Sequence, residues 1–166
     1  MKGITLSEVA IRTTLQPGDL GYITYLHGKL YKAEYNFGTA FEAYVAKGLI
    51  EFYELFDERS NRIWICEHSG QIVGCIALMS RGAEAQLRYF LILPEYRGIG
   101  LGKKLMSLYM DFLHQCGYRK SYLLTTDELH VAARLYEACG FRLTDQTETT
   151  GFGKRLIEHR YEWTAE

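Results

Sequence analysis

The fold of this chain is decided by the stretch Leu91-Ile92-Leu93-Pro94-Glu95-Tyr96-Arg97-Gly98-Ile99-Gly100-Leu101-Gly102-Lys103. A strand-like apolar segment ends at the proline, and a helix with a long apolar stripe begins at the last glycines. Glycine at three alternate positions removes the Cβ atoms that would keep a ligand away from the backbone. The helix that follows offers unpaired N–H groups and the positive end of its dipole. The stretch therefore predicts an anion site suited to a phosphate or pyrophosphate.

Strand and helix patterns alternate along the rest of the chain. Periodicity predicts strands over 9–13, 62–67, 71–79, 85–93, 121–125, 141–147 and 156–163. Helices are predicted after Pro17-Gly18-Asp19, from a capping box at Thr39-Ala40-Phe41-Glu42, over 101–117, and from an Asp127 cap to Gly140. The order β-α-α-β-β-β-α-β-α-β-β indicates an α/β (α+β) fold. Its sheet is mixed and mostly antiparallel, with about seven strands, about four flanking helices and one parallel pair near residue 100.

Composition excludes several classes of protein. The 166 residues fit a single domain, 1–166, and a net charge of −1 gives no general attraction to nucleic acid. No segment approaches the ~20 apolar residues that cross a membrane, and no signal-peptide pattern is present. The four cysteines form no C-x-x-C pair and no metal-ligand spacing. We expect free thiols, no metal, no membrane partner and a cytoplasmic location.

Other glycine-rich phosphate motifs fit this stretch poorly. A dinucleotide fingerprint needs G-x-G-x-x-G, whereas residues 98–102 read G-x-G-x-G and follow several strands. A P-loop needs G-x-x-x-x-G-K-[ST], but Arg97 stands at its first position and Lys104 follows Lys103. If the glycines are the only observation, a second interpretation also fits: a turn that binds no ligand and only lets the helix pack closely on the strand.

Two motifs together resemble the GNAT superfamily of N-acetyltransferases. That family reads apolar strand, x-Pro, then [RQ]-x-x-G-x-[GA], as residues 91–103 do. Downstream, Leu135-Tyr136-Glu137-Ala138-Cys139-Gly140-Phe141 is similar to its second signature, a helix that ends in Tyr-x-x-x-Gly-Phe. The element order from residue 9 to 163 is also similar, so the resemblance covers nearly the whole chain and implies the GNAT fold.

The resemblance implies an acetyl-CoA site without a metal. It places the pantetheine arm along Phe90, Leu91 and Ile92, with a backbone N–H near Ile92 polarising the thioester carbonyl. The pyrophosphate would lie on Arg97, Gly98, Ile99, Gly100, Leu101, Gly102 and Lys103. Tyr136 would donate a proton or hydrogen bond to the leaving thiolate. A core tyrosine is the structural alternative for that residue.

The acceptor end is less defined. Family likeness directs the acceptor to Tyr31, Glu34, Tyr35 and Gln86, within an aromatic group that also holds Tyr22, Tyr25, His27 and Phe37. Many relatives have a Glu base where this chain has Gln86, which cannot accept a proton. Glu84, Glu34 and Glu42 are the other carboxylates considered. The pattern His27-Gly28-x-x-Tyr31-x-x-Glu34-Tyr35 resembles acetyltransferase domains fused to MarR-type repressors.

The expected function is transfer of an acetyl group from acetyl-CoA to a primary amine by direct attack in a ternary complex. The alternative is an acyl-CoA-binding sensor or regulatory module with little turnover. A small-molecule amine and a peptide amine are both open as acceptors, and a homodimer is compatible with the fold.

Overall fold

A computed structural model describes residues 3–166, which form four helices and seven strands. Helices are α1 (Asp19–Tyr35), α2 (Thr39–Glu54), α3 (Leu101–Gln115) and α4 (His130–Ala138). Strands are β1 (Ala10–Arg12), β2 (Arg62–His68), β3 (Gln71–Arg81), β4 (Glu84–Ile92), β5 (Lys120–Thr126), β6 (Arg142–Thr149) and β7 (Leu156–Thr164). Short 3-10 turns lie at Leu6–Glu8 and Pro94–Tyr96. The predicted element order is confirmed.

All seven strands belong to one sheet in the order β1-β2-β3-β4-β5-β7-β6. The β2–β3 hairpin turns at Ser69 and Gly70, whose φ angles of 51° and 76° suit a two-residue hairpin loop. The β4–β5 pair is parallel and every other pair is antiparallel. The predicted mixed sheet is therefore confirmed. The β4–β5 pair can be parallel because α3 connects the end of β4 to the start of β5 and returns the chain to the end of the sheet where β4 begins.

Each face of the sheet carries its own apolar core. On one face, α3 buries Leu101, Leu105 and Tyr109 against β-strand side chains such as Leu87 and Leu123. On the other face, side chains of α1 and α2 pack against a second set from β2, β3 and β4: Ile23, Phe41, Val45, Leu49, Ile63, Cys75 and Leu91. A layer of helices on both faces fixes the central strands between them.

The sheet opens between β4 and β5. Their parallel pairing is limited to Ala85 with Ser121 and Gln86 with Tyr122. Beyond Gln86, β4 continues to Ile92 with no paired strand on that side among residues 3–166, so the two strands diverge and enclose a V-shaped gap.

A β-bulge lies in β4 at the head of this gap. Cys75 pairs with Leu91 and Ala77 with Arg88, so β4 holds one residue more than β3 over that interval. Tyr89 takes the left-handed conformation there, at a φ of 55°, which is uncommon for a residue with a side chain. Because of the bulge, Arg88 and Tyr89 both point to the α1–α2 face.

Two predicted helix caps are wrong. Helix α2 begins with Gly38 as its N-cap and no side-chain cap, since Thr39 is already helical. Helix α4 begins after Leu129, because the Asp127 carboxylate instead accepts a hydrogen bond from the Ile157 N–H at 3.2 Å and so extends the β5–β7 pairing.

All four cysteines are free thiols, as predicted, and Cys66 and Cys75 are buried. Within residues 3–166, no helix is long and apolar enough to cross a membrane. The same residues hold no group of three or more His, Cys, Asp or Glu side chains placed to bind a metal ion.

Candidate active site

The donor loop, residues 97–103, leads from β4 into α3. Gly98 and Gly100 have φ angles of 78° and 90°, so the loop needs the left-handed conformations that glycine adopts without strain. In the described chain, the backbone N–H groups of residues 98–103 have no protein acceptor, and the first bond of the new helix runs from the Lys104 N–H to the Gly100 carbonyl at 3.0 Å. These groups form a ready anion site at the positive end of a 15-residue helix.

Gly102 has a packing role of its own. A Cβ at this position would lie 2.9 Å from Cδ1 of Leu135 on α4. The glycine therefore lets α3 approach helix α4 closely, whereas the role considered above was packing of α3 on the strand; the β4 side chains of Ile92 and Phe90 would lie at ordinary contact distances of 3.6 and 3.8 Å. Gly98 and Gly100 supply the left-handed conformations of the loop, and Gly102 supplies the room for α4.

Arg97 braces the donor loop instead of lying free. Its guanidinium donates two hydrogen bonds to the Glu34 carboxylate, at 2.7 and 3.1 Å, and one to the Ile92 carbonyl at 3.0 Å. The pairing with Glu34 raises the pKa of Arg97. Helix α1 is thereby tied to the start of the loop, 63 residues away in sequence.

The open edge of β4 supplies backbone groups to the gap. The Leu93 N–H donates to the Val73 carbonyl of β3 at 2.9 Å, which fixes the direction of that residue's polar groups. Alternate residues of a strand direct their N–H groups to opposite sides. Phe90 and Ile92 therefore direct their N–H groups to the gap, where an extended ligand can add as a further strand, while the Ile92 carbonyl is held by Arg97.

A pocket lies beside the bulge of β4, between β4 and β5, and we call it the central pocket. Aromatic side chains form much of its wall: Tyr31, Phe37, Phe41, Tyr44, Tyr89, Phe90, Tyr136 and Phe152. Its polar lining comes from Arg88, Gln86, His27, Thr125, Thr126 and Glu158. These residues lie on α1, α2, α4 and three strands, on the loop between α1 and α2, and on the loop before β7.

Tyr136 closes the pocket from the α4 side. Its ring lies 5.9 Å from Phe90, 6.3 Å from Phe141 and 6.2 Å from Tyr161, measured between centroids. Burial raises the pKa of its phenol, so the hydroxyl stays protonated over the physiological range. A permanently protonated hydroxyl at the lining of a pocket is a hydrogen-bond donor for whatever lies there.

Comparison with known proteins agrees with this geometry. The family model described as "Acetyltransferase (GNAT) family" matches residues 29–141, from α1 through the end of α4. The chain belongs to the acetyltransferase (GNAT) family. The match includes both the donor loop and the Tyr136 motif.

Individual GNAT relatives extend the likeness. The uncharacterised N-acetyltransferase YjgM of Escherichia coli is 35% identical over 102 residues, which cover 58% of this chain and 60% of that protein. The chain thus spans less than two thirds of that curated relative. An acetyltransferase structure from Streptococcus agalactiae has a TM-score of 0.74 at 20% identity, over 96% of this chain and 99% of the other. The Salmonella typhimurium yncA structure, with its cofactor acetyl-CoA, has a TM-score of 0.70 at 18% identity, over 96% and 95%.

The GNAT residues proposed from sequence occupy different environments. Tyr31 and Gln86 line the central pocket, whereas Glu34 is held by Arg97 and, with Tyr35, lies outside the lining. Gln86 is itself engaged, since its side-chain oxygen accepts a hydrogen bond from Arg81 at 2.8 Å. Tyr22 and Tyr25 are exposed and stack on each other. Substrate binding by these residues and the likeness to MarR-fused domains stay predictions.

Sequence reasoning missed four polar residues of the pocket: Arg88, Thr125, Thr126 and Glu158. Arg88 had a detectable signal, an arginine inside the otherwise apolar strand that precedes the motif. Glu158 had none, because it follows the motif by more than fifty residues and reaches the pocket only through the pairing of Thr126 with Glu158.

Proposed function

We propose that this chain is an acetyl-CoA-dependent N-acetyltransferase that moves the acetyl group directly to a primary amine. The proposal depends on one observation: three features needed for acetyl transfer lie around the same gap in the sheet. A run of unpaired N–H groups at the start of α3, an open β4 edge and a protonated Tyr136 all border the gap that leads to the central pocket. The family match and the acetyl-CoA-bound structural relative support the choice of donor.

The donor site fits acetyl-CoA by its backbone chemistry. The N–H groups of residues 98–103 suit the pyrophosphate, and the Phe90 and Ile92 N–H groups suit the amides of the extended pantetheine arm. Lys103 is exposed at the same helix start, where a second phosphate can reach it. Acetyl-CoA supplies the activated acyl group as a thioester; the protein supplies position and polarity.

Tyr136 is the proposed partner of the departing sulfur. During transfer a C–N bond forms, the C–S bond breaks, and one proton that leaves the nitrogen ends on sulfur. A thiol near pKa ~8.5 holds a proton less tightly than a phenol near ~10. Since burial raises the Tyr136 pKa further, we infer that its hydroxyl hydrogen-bonds the thiolate more than it transfers its proton outright.

Glu158 is the proposed proton acceptor for the ammonium form of the substrate. Among the described residues that line the central pocket, it is the only carboxylate. Burial, and second the charge of Asp145, raise its pKa, which makes it a stronger base than an exposed glutamate. Of the carboxylates considered from sequence, Glu34 is paired with Arg97 and Glu42 packs on Gly28 of α1.

Direct transfer is favoured over a thiol intermediate. Burial raises the pKa of all four cysteines, to about 12 for Cys66, so none is an activated thiolate. None of them lines the central pocket. The amine is therefore expected to attack the thioester itself, in a ternary complex. We also propose that residues 1–166 act as one catalytic domain, since a single sheet joins the described chain from β1 to β6.

Release of free CoA in the presence of a panel of amines tests the proposal. Amine-stimulated release that falls in Tyr136→Phe, while acetyl-CoA still binds, is the expected outcome. Tight CoA binding with no stimulation by any amine, and no effect of Tyr136→Phe, would instead indicate the sensor. Mass spectrometry of the protein after a pulse of acetyl-CoA would expose a covalent acetyl-enzyme, which contradicts direct transfer.

A further inference from the structure

Arg88 is a half-buried cation in the central pocket without a carboxylate partner. None of the ion pairs among the described residues includes it. The charge of Arg88 helps to lower the carboxyl pKa of Glu51. The Glu51 carboxylate, however, is already paired with Arg81 at 2.5 Å. The guanidinium instead lies over two aromatic rings, 5.2 Å from the Tyr44 centroid and 4.9 Å from that of Tyr89. An unpaired charge removed from water favours an anionic ligand.

Gly48 of α2 makes the room for this group. A Cβ at this position would lie 2.6 Å from Nη2 of Arg88 and 2.5 Å from the Tyr89 hydroxyl. Glycine inside a helix costs about 1 kcal/mol relative to alanine, so its presence here fits a need for space. Both polar groups therefore meet at one spot against the helix, and two donors at one spot suit the two oxygens of a carboxylate.

Three hydroxyls in the pocket lack partners as well. The Tyr89 hydroxyl and the Oγ1 atoms of Thr125 and Thr126 are buried with no hydrogen-bond partner in the described structure, and these residues are only 7%, 8% and 6% exposed. Buried polar groups are ordinarily satisfied. All three side chains line the pocket, so a ligand there with hydrogen-bonding oxygens would satisfy them.

The pocket also separates its two charges. Arg88 comes from β4 and Glu158 from β7, with β5 and the V-shaped gap between these strands. Aromatic side chains of Phe41, Tyr44 and Phe152 fill the wall between α2 and the strands. This arrangement offers a cation for an acid group, a carboxylate for an ammonium group and an apolar surface beside them.

We propose that the acceptor is an amino acid, an amine that carries a carboxylate a few bonds away, and that Arg88 binds this carboxylate. The proposal rests on the acetyltransferase function above and narrows its acceptor. Arg88 lies two residues before Phe90, on the part of β4 that borders the gap, so its site is on the same strand as the expected thioester. A polyamine would bring a second cation toward Arg88, which repels it.

Kinetics on matched acceptors test the proposal. The acceptors are phenylalanine and leucine, each beside its decarboxylated amine (phenethylamine and isoamylamine), and spermidine. For the wild-type enzyme we expect kcat/KM at least tenfold higher for each amino acid than for its amine. In Arg88→Met we expect the KM for the amino acids to rise at least tenfold, with the KM for the amines unchanged.

Three variants separate binding from folding. Arg160→Met is the matched control, because Arg160 also lies over a tyrosine, at 4.0 Å from Tyr122, but is paired with Glu162 outside the pocket. Gly48→Ala is expected to weaken amino acid binding by displacing Arg88. Gly21→Ala, in α1 with nothing within 4 Å of its added Cβ, is the control for that change.

The outcomes are distinct. Equal loss for amino acids and amines in Arg88→Met, or a wild-type preference for amines or spermidine, would overturn the acid-group proposal and leave the acetyltransferase function standing. If no acceptor is turned over, the function fails, and calorimetry of phenylalanine and leucine binding to the CoA complex decides the Arg88 site. Binding that is lost in Arg88→Met supports it, and absence of binding contradicts it.

Discussion

The donor loop and the central pocket are built by opposite means. The loop offers backbone groups: six successive N–H groups without a protein acceptor among the described residues, in a run where three of the six residues are glycine. The pocket is made of side chains drawn from six helices and strands and from three loops, and its wall, rich in aromatic side chains, includes His27, Arg88 and Glu158. Backbone recognition is tied to local sequence, whereas side-chain recognition depends on how distant segments pack. This difference fits an acetyl donor that is shared by the whole family and an amine acceptor that differs from one member to another.

Breaking the loop is expected to have the largest effect. Gly100→Val forces a β-branched residue into a φ of 90°, which misdirects the N–H groups at the start of α3. We expect the Kd for CoA, measured by calorimetry, to rise at least a hundredfold. Gly82→Val is the matched control, since Gly82 has a φ of 73° in the β3–β4 turn with open space around it. An equal loss of CoA affinity in both variants would contradict the role of the loop.

Tyr136 tests the point where the two regions meet. Tyr136→Phe keeps the ring packing but removes the donor at the sulfur, so we expect kcat to fall roughly thirty- to a hundredfold with little change in Tm. Tyr109→Phe is the control: that hydroxyl is bonded to Ser121 at 2.7 Å in the α3 core, and its loss should lower stability by about 1 kcal/mol without changing kcat. An unchanged kcat in Tyr136→Phe would mean that Tyr136 only packs in the apolar core and takes no part in the transfer.

The pocket, unlike the loop, should respond to pH. Burial, and to a lesser extent the charge of Arg88, lower the pKa of His27 from 6.5 to about 4. The unfolded chain therefore binds a proton first as pH falls, so the stabilisation is full above pH 6.5 and is lost toward pH 4. Between pH 7.5 and 5 this amounts to about 2 kcal/mol of the free energy of unfolding.

Urea unfolding of His27→Gln across that pH range measures this contribution. The slope of stability against pH should flatten in the variant relative to the wild type. His130→Gln, at an exposed histidine of α4, should keep the wild-type slope. The same slope in all three proteins would mean that His27 does not control acid stability.

The smallest effect is expected at the brace between the regions. The Arg97–Glu34 pair is partly exposed, with side chains 43% and 24% accessible, so its contribution is limited to about 1 kcal/mol. Glu34→Gln should raise the Kd for CoA about two- to fivefold by loosening the start of the loop. A double-mutant cycle with Arg97→Gln should show coupling of that size. Additive effects would show that the pair does not position the loop.

Local patterns predicted the scaffold well. The strands over 62–67 and 71–79 and the helix beginning at residue 101 depend on neighbours within a few positions, and the structure confirms them. The capping box at Thr39 failed because the chain entering α2 is fixed by a contact between the Gly38 N–H and the Phe152 carbonyl. That contact spans more than a hundred residues, beyond the reach of a local pattern.

The GNAT family, the element order and the position of the donor loop could all be predicted from the amino-acid sequence, because glycine spacing and apolar periodicity act over short distances. The group that each charged side chain faces depends instead on how distant segments pack. The bulge at Tyr89 turned Arg88 toward α2, a salt bridge removed Glu34 from the pocket, and the pairing of β7 with β5 brought Glu158 into it. Charges interact through space, so their partners are fixed by packing and not by position along the chain.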